Sequence, residues 1–192
     1  DALPIWDILH DITDADEQPV VMVELEREVH LIGVVSDTHV PRRARCLTPG
    51  LLRGLEGVDL ILHAGDLVDE SVLFELQALA PVEAVAGNMD PPRLHERLKR
   101  RKLLHAGGLT IGLIHGDGLR RSTRQRAEEA FREFRPQVIV FGHSHQPLCE
   151  YSGNTLMFNP GSCVDPRWSG RPSYGILQVK RGGAVRGELL YL

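Results

Sequence analysis

The strongest constraint on how this chain can fold is a rhythm of short, β-branched apolar runs separated by amphipathic stretches. Val29–Val35, Leu60–Leu62 and Val82–Ala86 have the length and composition of buried strands. Between the first two, Thr48 and Pro49 stand as an N-cap and N1 pair that opens a helix through Leu55. Ser71–Leu79 reads as a second helix, which gives the order βαβαβ. Beyond that the pattern loosens. Arg93–Lys102 is a basic stretch with Leu94 and Leu98 at helical spacing, and Lys102–Ala106 and Leu109–Ile114 flank Gly107-Gly108 as a hairpin. Ser122–Phe134 is an amphipathic helix and Val138–Phe141 a further buried strand. The remainder, Leu148–Tyr151, Leu156–Phe158, Tyr174–Lys180 and Val185–Leu190, reads as antiparallel strands. Sheets and helices each bury one face against another layer, so this order predicts an α/β protein of two packed mixed β-sheets with helices outside.

Charge divides the chain. Residues 1–28 hold nine acidic groups and one basic group, whereas the rest is net basic. The expectation is an acidic, loosely ordered N-terminal extension over 1–28 and one domain over 29–192. A domain of that length buries enough apolar surface to fold without a structural metal or disulfide, which leaves any metal site free for chemistry. Cys46, Cys149 and Cys163 are scattered and form no C-x-x-C, so they read as free thiols of a reducing compartment. No apolar run approaches the roughly 20 residues that span a bilayer, and the acidic start lacks a secretory pattern; the expected location is the cytoplasm, with no membrane partner.

The chemistry follows from where the polar residues fall. Asp37 and His39 follow the first strand, Asp66 the second and Asn88 the third. His115 follows the second hairpin strand, and His143 and His145 follow Val138–Phe141. Loops at the C-terminal ends of strands in α/β sheets converge on one crevice, where ligands collect. Two carboxylates, one amide and four imidazoles are too many donors for one tetrahedral zinc, and too rich in nitrogen for calcium or a lone magnesium. Two transition-metal ions sharing a bridging carboxylate would use all seven. Singly, an Asp-x-His or Gly-Asp after a strand is an ordinary turn or helix cap, and a lone His-x-His is incidental. Their joint placement at successive strand ends reverses that reading.

These segments, Asp37-Thr38-His39, Gly65-Asp66, Gly87-Asn88, His115-Gly116 and Gly142-His143-Ser144-His145, resemble the calcineurin-like metallophosphoesterase family. The likeness is greatest to its small single-domain prokaryotic phosphodiesterases, and Asn159-Pro160-Gly161-Ser162 shares it. The resemblance implies a four-layer α/β/β/α fold. It also implies two divalent ions, manganese first and iron, zinc or nickel as alternatives. One ion would be held by Asp37, His39, Asp66 and His145, the other by Asp66, Asn88, His115 and His143, with Asp66 bridging. Catalysis would fall to His39, Asp66, Asn88 and His143 around a metal-bridging hydroxide that attacks phosphorus in line. A homo-oligomer is compatible with the family.

One departure bears on substrate. Many family members carry a histidine after the Asn of the G-N motif, able to protonate the leaving oxygen; here that residue is Met89. A positioned general acid contributes ~10²–10⁴-fold. Its loss predicts good leaving groups, a proton from His39 or water, and a small phosphodiester in preference to a monoester. Asp90 reads equally as an orienting group or a turn cap, His63 as a residue that could contact the donors from behind, and Arg42 and Arg43 as solvated surface. His10, His30, His95 and His105 read as surface or packing residues. The rival classes are a protein-binding scaffold of the same fold, expected to have lost donors, and a nuclease. The basic clusters Arg93–Lys102 and Arg120–Arg126 lack interleaved aromatics, so a solvated helix face is the better reading than a nucleic-acid surface.

Overall fold

A computed structural model describes residues 18–106 and 108–192. Among the described residues eleven strands form two sheets. The strands are β1 Val21–Glu24, β2 Leu31–Val35, β3 Leu60–His63, β4 Val82–Ala84, β5 Arg101–Ala106 and β6 Leu109–Ile114. They continue with β7 Val138–Val140, β8 Leu148–Ser152, β9 Thr155–Asn159, β10 Ser173–Val179 and β11 Val185–Tyr191. The helices are α1 Pro49–Gly54, α2 Ser71–Gln77, α3 Pro92–Leu98 and α4 Thr123–Ala130. One sheet runs β11-β10-β2-β3-β4 and the other β1-β5-β6-β7-β9-β8.

Side-chain alternation explains the layering. In β2, Ile32 and Val34 belong to a core with Leu60 and Leu62 of β3 and with Leu104, Ile111, Leu113, Val138, Val140 and Phe158 of the other sheet. That core is the filling between the sheets. Val35 and Ile61 belong instead to a second core with Leu51, Leu55, Leu73, Leu76, Leu94 and Leu98 of the α1–α3 side. A third core joins Leu103, Ile114, Ile139 and Met157 to Ala127, Ala130 and Phe131 at α4. Three cores between four layers are the α/β/β/α sandwich that the sequence predicts.

Local signals account for most element ends. Thr48 caps α1 by accepting from the Leu51 N–H, with Pro49 at the first turn. Ser122 and Gln125 form a reciprocal capping box at α4. The helices stop earlier than their apolar spacing predicts. α4 ends at Ala130, because Phe131 leaves helical geometry at φ −122° and Phe134 N–H turns back to the Phe131 carbonyl. The basic stretch is split, with α3 ending at Leu98 and β5 beginning at Arg101 across Lys99 at φ 62°. Of the expected acidic extension, residues 1–17 lie outside the described residues. Within its remainder, Val21–Glu24 adds as a parallel edge strand to Lys102–His105, so the sheet reaches back into that segment. Among the described residues no helix is long and apolar enough to cross a membrane.

Pairing direction positions the site. β2, β3 and β4 are mutually parallel, as are β6, β7 and β9. The carboxyl ends of both parallel sets therefore open toward one edge of the sandwich, where all seven candidate donors stand.

Candidate metal centre

Two overlapping groups of ligand atoms lie at that edge. Asp37, His39 and His145 form one and Asp37, Asp66 and His115 the other, each with its ligand atoms within 4.8 Å of one another. His145 Nε2 is 3.2 Å from Asp37 Oδ1 and 3.4 Å from His39 Nε2. His115 Nε2 is 3.2 Å from Asp66 Oδ2 and 3.9 Å from Asp37 Oδ1. His39 Nε2 lies 3.8 Å from Asp37 Oδ1 and 3.7 Å from Asp66 Oδ2, so both carboxylates stand between the imidazoles. His143 is half-buried, with its ring edge-on to His115 at 5.1 Å between centroids, and Asn88 is exposed on the loop after β4.

The backbone is forced to present these groups. Asp37, His39, Asp66, His143 and His145 all have positive φ, between 46° and 63°. Non-glycine residues there carry a cost of order 1–3 kcal/mol each and cluster at functional sites. Gly87 allows a close approach: a Cβ there would sit 2.2 Å from Asp66 Oδ1.

Hydrogen bonds behind the cluster fix its atoms. Ala64 and Asp165 carbonyls can only accept, so His115 Nδ1 at 2.7 Å and His145 Nδ1 at 2.5 Å must donate to them. Each ring then turns Nε2 toward the carboxylates, the arrangement that orients metal-binding imidazoles. His63 does contact the donors' loops from behind. Its Nδ1 accepts from the Gly65 N–H at 3.1 Å, which makes Nε2 the donor to Thr38 Oγ1 at 3.1 Å. Burial lowers its pKa to about 3, keeping it neutral. Asp90 is both cap and orienter. It accepts from the N–H groups of Asp66 at 3.0 Å, Val68 at 2.6 Å and Gly87 at 2.8 Å, so one carboxylate ties the second and third ligand loops together.

The electrostatics favour a cation at the centre. Burial alone would depress the His115 pKa, yet the Asp66 and Asp37 carboxylates overcome it and lift it to about 10. The same attraction holds the Asp37 and Asp66 carboxyls below their ordinary range against the opposing effect of burial. Burial pulls the His143 pKa the other way, to about 4, and charge on His115 beside it acts in the same direction. Two buried atoms here, Asp37 Oδ1 and His115 Nε2, have no hydrogen-bond partner. An orphaned carboxylate oxygen and imidazole nitrogen facing a common point fit a metal ion, and mixed imidazole and carboxylate donors suit manganese, iron, zinc or nickel.

Several supporting residues carry no motif signal. Arg126, read as part of a basic surface cluster, is buried, and its guanidinium donates to the carbonyls of Gly116 at 2.7 Å, Arg120 at 2.8 Å and Arg121 at 2.5 Å. Buried Asp117, two residues after His115, pairs with Arg100 of the other basic stretch. Arg93, Arg97 and Lys102 are paired with Asp69, Glu70 and Glu83, and Arg124 with Glu150, which leaves those clusters largely neutralised. Asn159 donates to the Gly142 carbonyl at 2.9 Å and Ser162 Oγ to the Asp37 carbonyl at 2.8 Å, so the segment after β9 braces two ligand loops. Arg43 is exposed, 3.7 Å from Asp165.

A two-sheet sandwich with an Asp/His cluster at its strand ends defines a metallophosphoesterase-type protein. The chain belongs to the calcineurin-like phosphoesterase superfamily, whose domain model matches residues 31–182. It is 39% identical over 151 residues to a probable metallophosphoesterase of Methanothermobacter thermautotrophicus, covering 78% of this chain and 86% of that one. It is 28% identical over 164 residues to a phosphodiesterase of Methanocaldococcus jannaschii, covering 78% and 93% respectively. The zinc-complexed Vps29 of Entamoeba histolytica superposes with a TM-score of 0.68 at 23% identity, over 84% of this chain and 98% of that one, which shows the shared fold.

Proposed function

We propose that the chain is a metal-dependent phosphodiesterase whose strand-end side chains hold two divalent cations, manganese in the first instance. Asp37, His39, Asp66 and His145 would hold one, and Asp66, Asn88, His115 and His143 the other. The observation that carries the reading is the fully buried pair Asp37 Oδ1 and His115 Nε2, which lack hydrogen bonds and face the other carboxylate and imidazole donors at 3.2–3.9 Å. Bound ions of this kind supply Lewis acidity toward phosphoryl oxygens and lower the pKa of water. The chain's own part is positional. Asp90 holds the Asp66 and Gly87 backbones, and the Ala64 and Asp165 carbonyls fix the His115 and His145 rings. Each of these groups keeps a donor atom aimed at the centre before substrate arrives. Met89, 40% exposed beside Asn88, offers no proton, so an alkoxide would depart unaided or with a proton from water. That favours a diester with a good leaving group.

Turnover of bis(p-nitrophenyl) phosphate and p-nitrophenyl phosphate by manganese-loaded protein tests the reading. Diester hydrolysis exceeding monoester hydrolysis is expected, with Asp66→Ala abolishing both metal pairing and turnover. Tight metal binding without hydrolysis of either ester would instead favour a protein-binding scaffold.

A further inference from the structure

The Asn159-Pro160-Gly161-Ser162 stretch begins at the end of β9, and its last side chain is not among the candidate metal donors. Ser162 is fully buried, and a serine hydroxyl has one proton to donate and two lone pairs with which to accept. All three are in use. Ser162 Oγ donates to the Asp37 carbonyl at 2.8 Å and accepts from the N–H groups of Asp165 at 2.9 Å and Val164 at 3.2 Å. One atom thereby joins the peptide of one candidate donor to the peptide that orients another.

Followed outward from that atom, the contacts close into a circuit. The Asp165 carbonyl accepts from His145 Nδ1 at 2.5 Å, and His145 Nε2 on the other side of the imidazole lies 3.2 Å from Asp37 Oδ1. Asp37 returns to Ser162 through its own carbonyl. His39 Nε2 rests against the same pair, 3.4 Å from His145 Nε2 and 3.8 Å from Asp37 Oδ1. The circuit therefore takes in one whole donor group, Asp37, His39 and His145. His115 and Asp66 are fixed elsewhere, by the Ala64 carbonyl and by Asp90. The backbone around Ser162 has anchors that do not use its hydroxyl. Its carbonyl accepts from the Ser173 N–H at 2.9 Å, and Ser173 Oγ donates to the Pro160 carbonyl at 2.7 Å.

We propose that Ser162 is a positioning residue for one ion of the pair, the ion assigned to Asp37, His39, Asp66 and His145, and that its hydroxyl leaves the other ion's affinity unchanged. The proposal rests on the two-ion reading above, and two measurements separate their failures. The first is a calorimetric titration of chelator-stripped, full-length protein with manganese. His145→Ala and His115→Ala mark which binding phase belongs to which ion. Ser162→Ala should weaken the phase that His145→Ala removes by about 10- to 100-fold, the range that loss of a ligand-orienting contact commonly costs. The phase that His115→Ala removes should keep its wild-type affinity. Equal weakening of both phases, or no weakening of either, overturns the proposal.

The second measurement needs no metal. The protons on His115 Nδ1 and His145 Nδ1 sit in buried hydrogen bonds to carbonyls, and in stripped protein each should give its own low-field proton resonance. Loss of one signal in His115→Ala and of the other in His145→Ala assigns them. Ser162→Ala should displace the His145 resonance and leave that of His115 in place. An unmoved His145 resonance overturns the proposal while leaving the two-ion reading intact. Displacement of both resonances would mark a general structural role and overturn it as well. A wild type that takes up one ion or none, with only the His145 resonance displaced in Ser162→Ala, would remove the two-ion reading and keep Ser162 as the brace of His145.

Discussion

Asp90 has no place among the candidate metal donors, yet three N–H groups converge on its carboxylate and two of them belong to Asp66 and Gly87. Removing it strands buried donors, each costing about 1–3 kcal/mol. Asp90→Ala should therefore lower unfolding free energy by at least about 2 kcal/mol, measured by denaturant titration. It should also weaken metal binding by about 10- to 100-fold, the usual effect of losing a group that orients a ligand. A variant with wild-type metal affinity would show that Asp66 keeps its geometry without the Asp90 bracket. The neighbouring position makes the opposite point: Met89 contributes its backbone, whose N–H donates to Asp66 Oδ1 at 2.8 Å, while its side chain offers no proton-transfer group.

At the scale of elements, strand ends do the positioning, and they were legible because each buried apolar run stops abruptly at a donor-type residue. Thr48-Pro49 and Ser122 with Gln125 were equally legible, since caps are local chemistry. What sequence could not disclose was partnering across distance. Arg126 sits among exposed arginines in the chain, and only the fold turns its guanidinium inward onto the Gly116 carbonyl. Asp117 follows His115 by two residues, a spacing that hints at the site, but its Arg100 partner sits on the turn between α3 and β5, at the open end of the β5–β6 hairpin. The left-handed backbone at Asp37, His39, Asp66, His143 and His145 is likewise invisible in residue type, because none is glycine. Packing between elements offers a direct test. Gly112 of β6 lies under Phe131, and a Cβ there would come 2.7 Å from the ring. Gly112→Ala should destabilise the protein by about 1–3 kcal/mol through overpacking. Combining it with Phe131→Leu should cost less than the sum of the two single changes, as expected for residues in contact. Additive losses in denaturant midpoints would mean that the α4 layer shifts freely against its sheet.

For the whole molecule, the two sheets act as a frame that brings residues from Asp37 to His145 to one edge. Each sheet contributes part of the donor set: β2, β3 and β4 carry Asp37, His39, Asp66 and Asn88, and β6 and β7 carry His115, His143 and His145. Two divalent ions would then clamp one sheet to the other, so stripping them with chelator should lower the unfolding temperature, and readdition should restore it. The described part of the acidic N-terminal segment is tied to this frame, with Val21–Glu24 joining the edge of the larger sheet and the Leu25 N–H donating to the His105 carbonyl at 2.8 Å.

The most direct measurement is anomalous X-ray diffraction from crystals of the intact chain grown with manganese. Two peaks about 3.5–4 Å apart are expected, with Asp66 contacting both, His39 and His145 on one side, and Asn88, His115 and His143 on the other. A single peak, or peaks seated away from Asp37 and Asp66, would contradict the account.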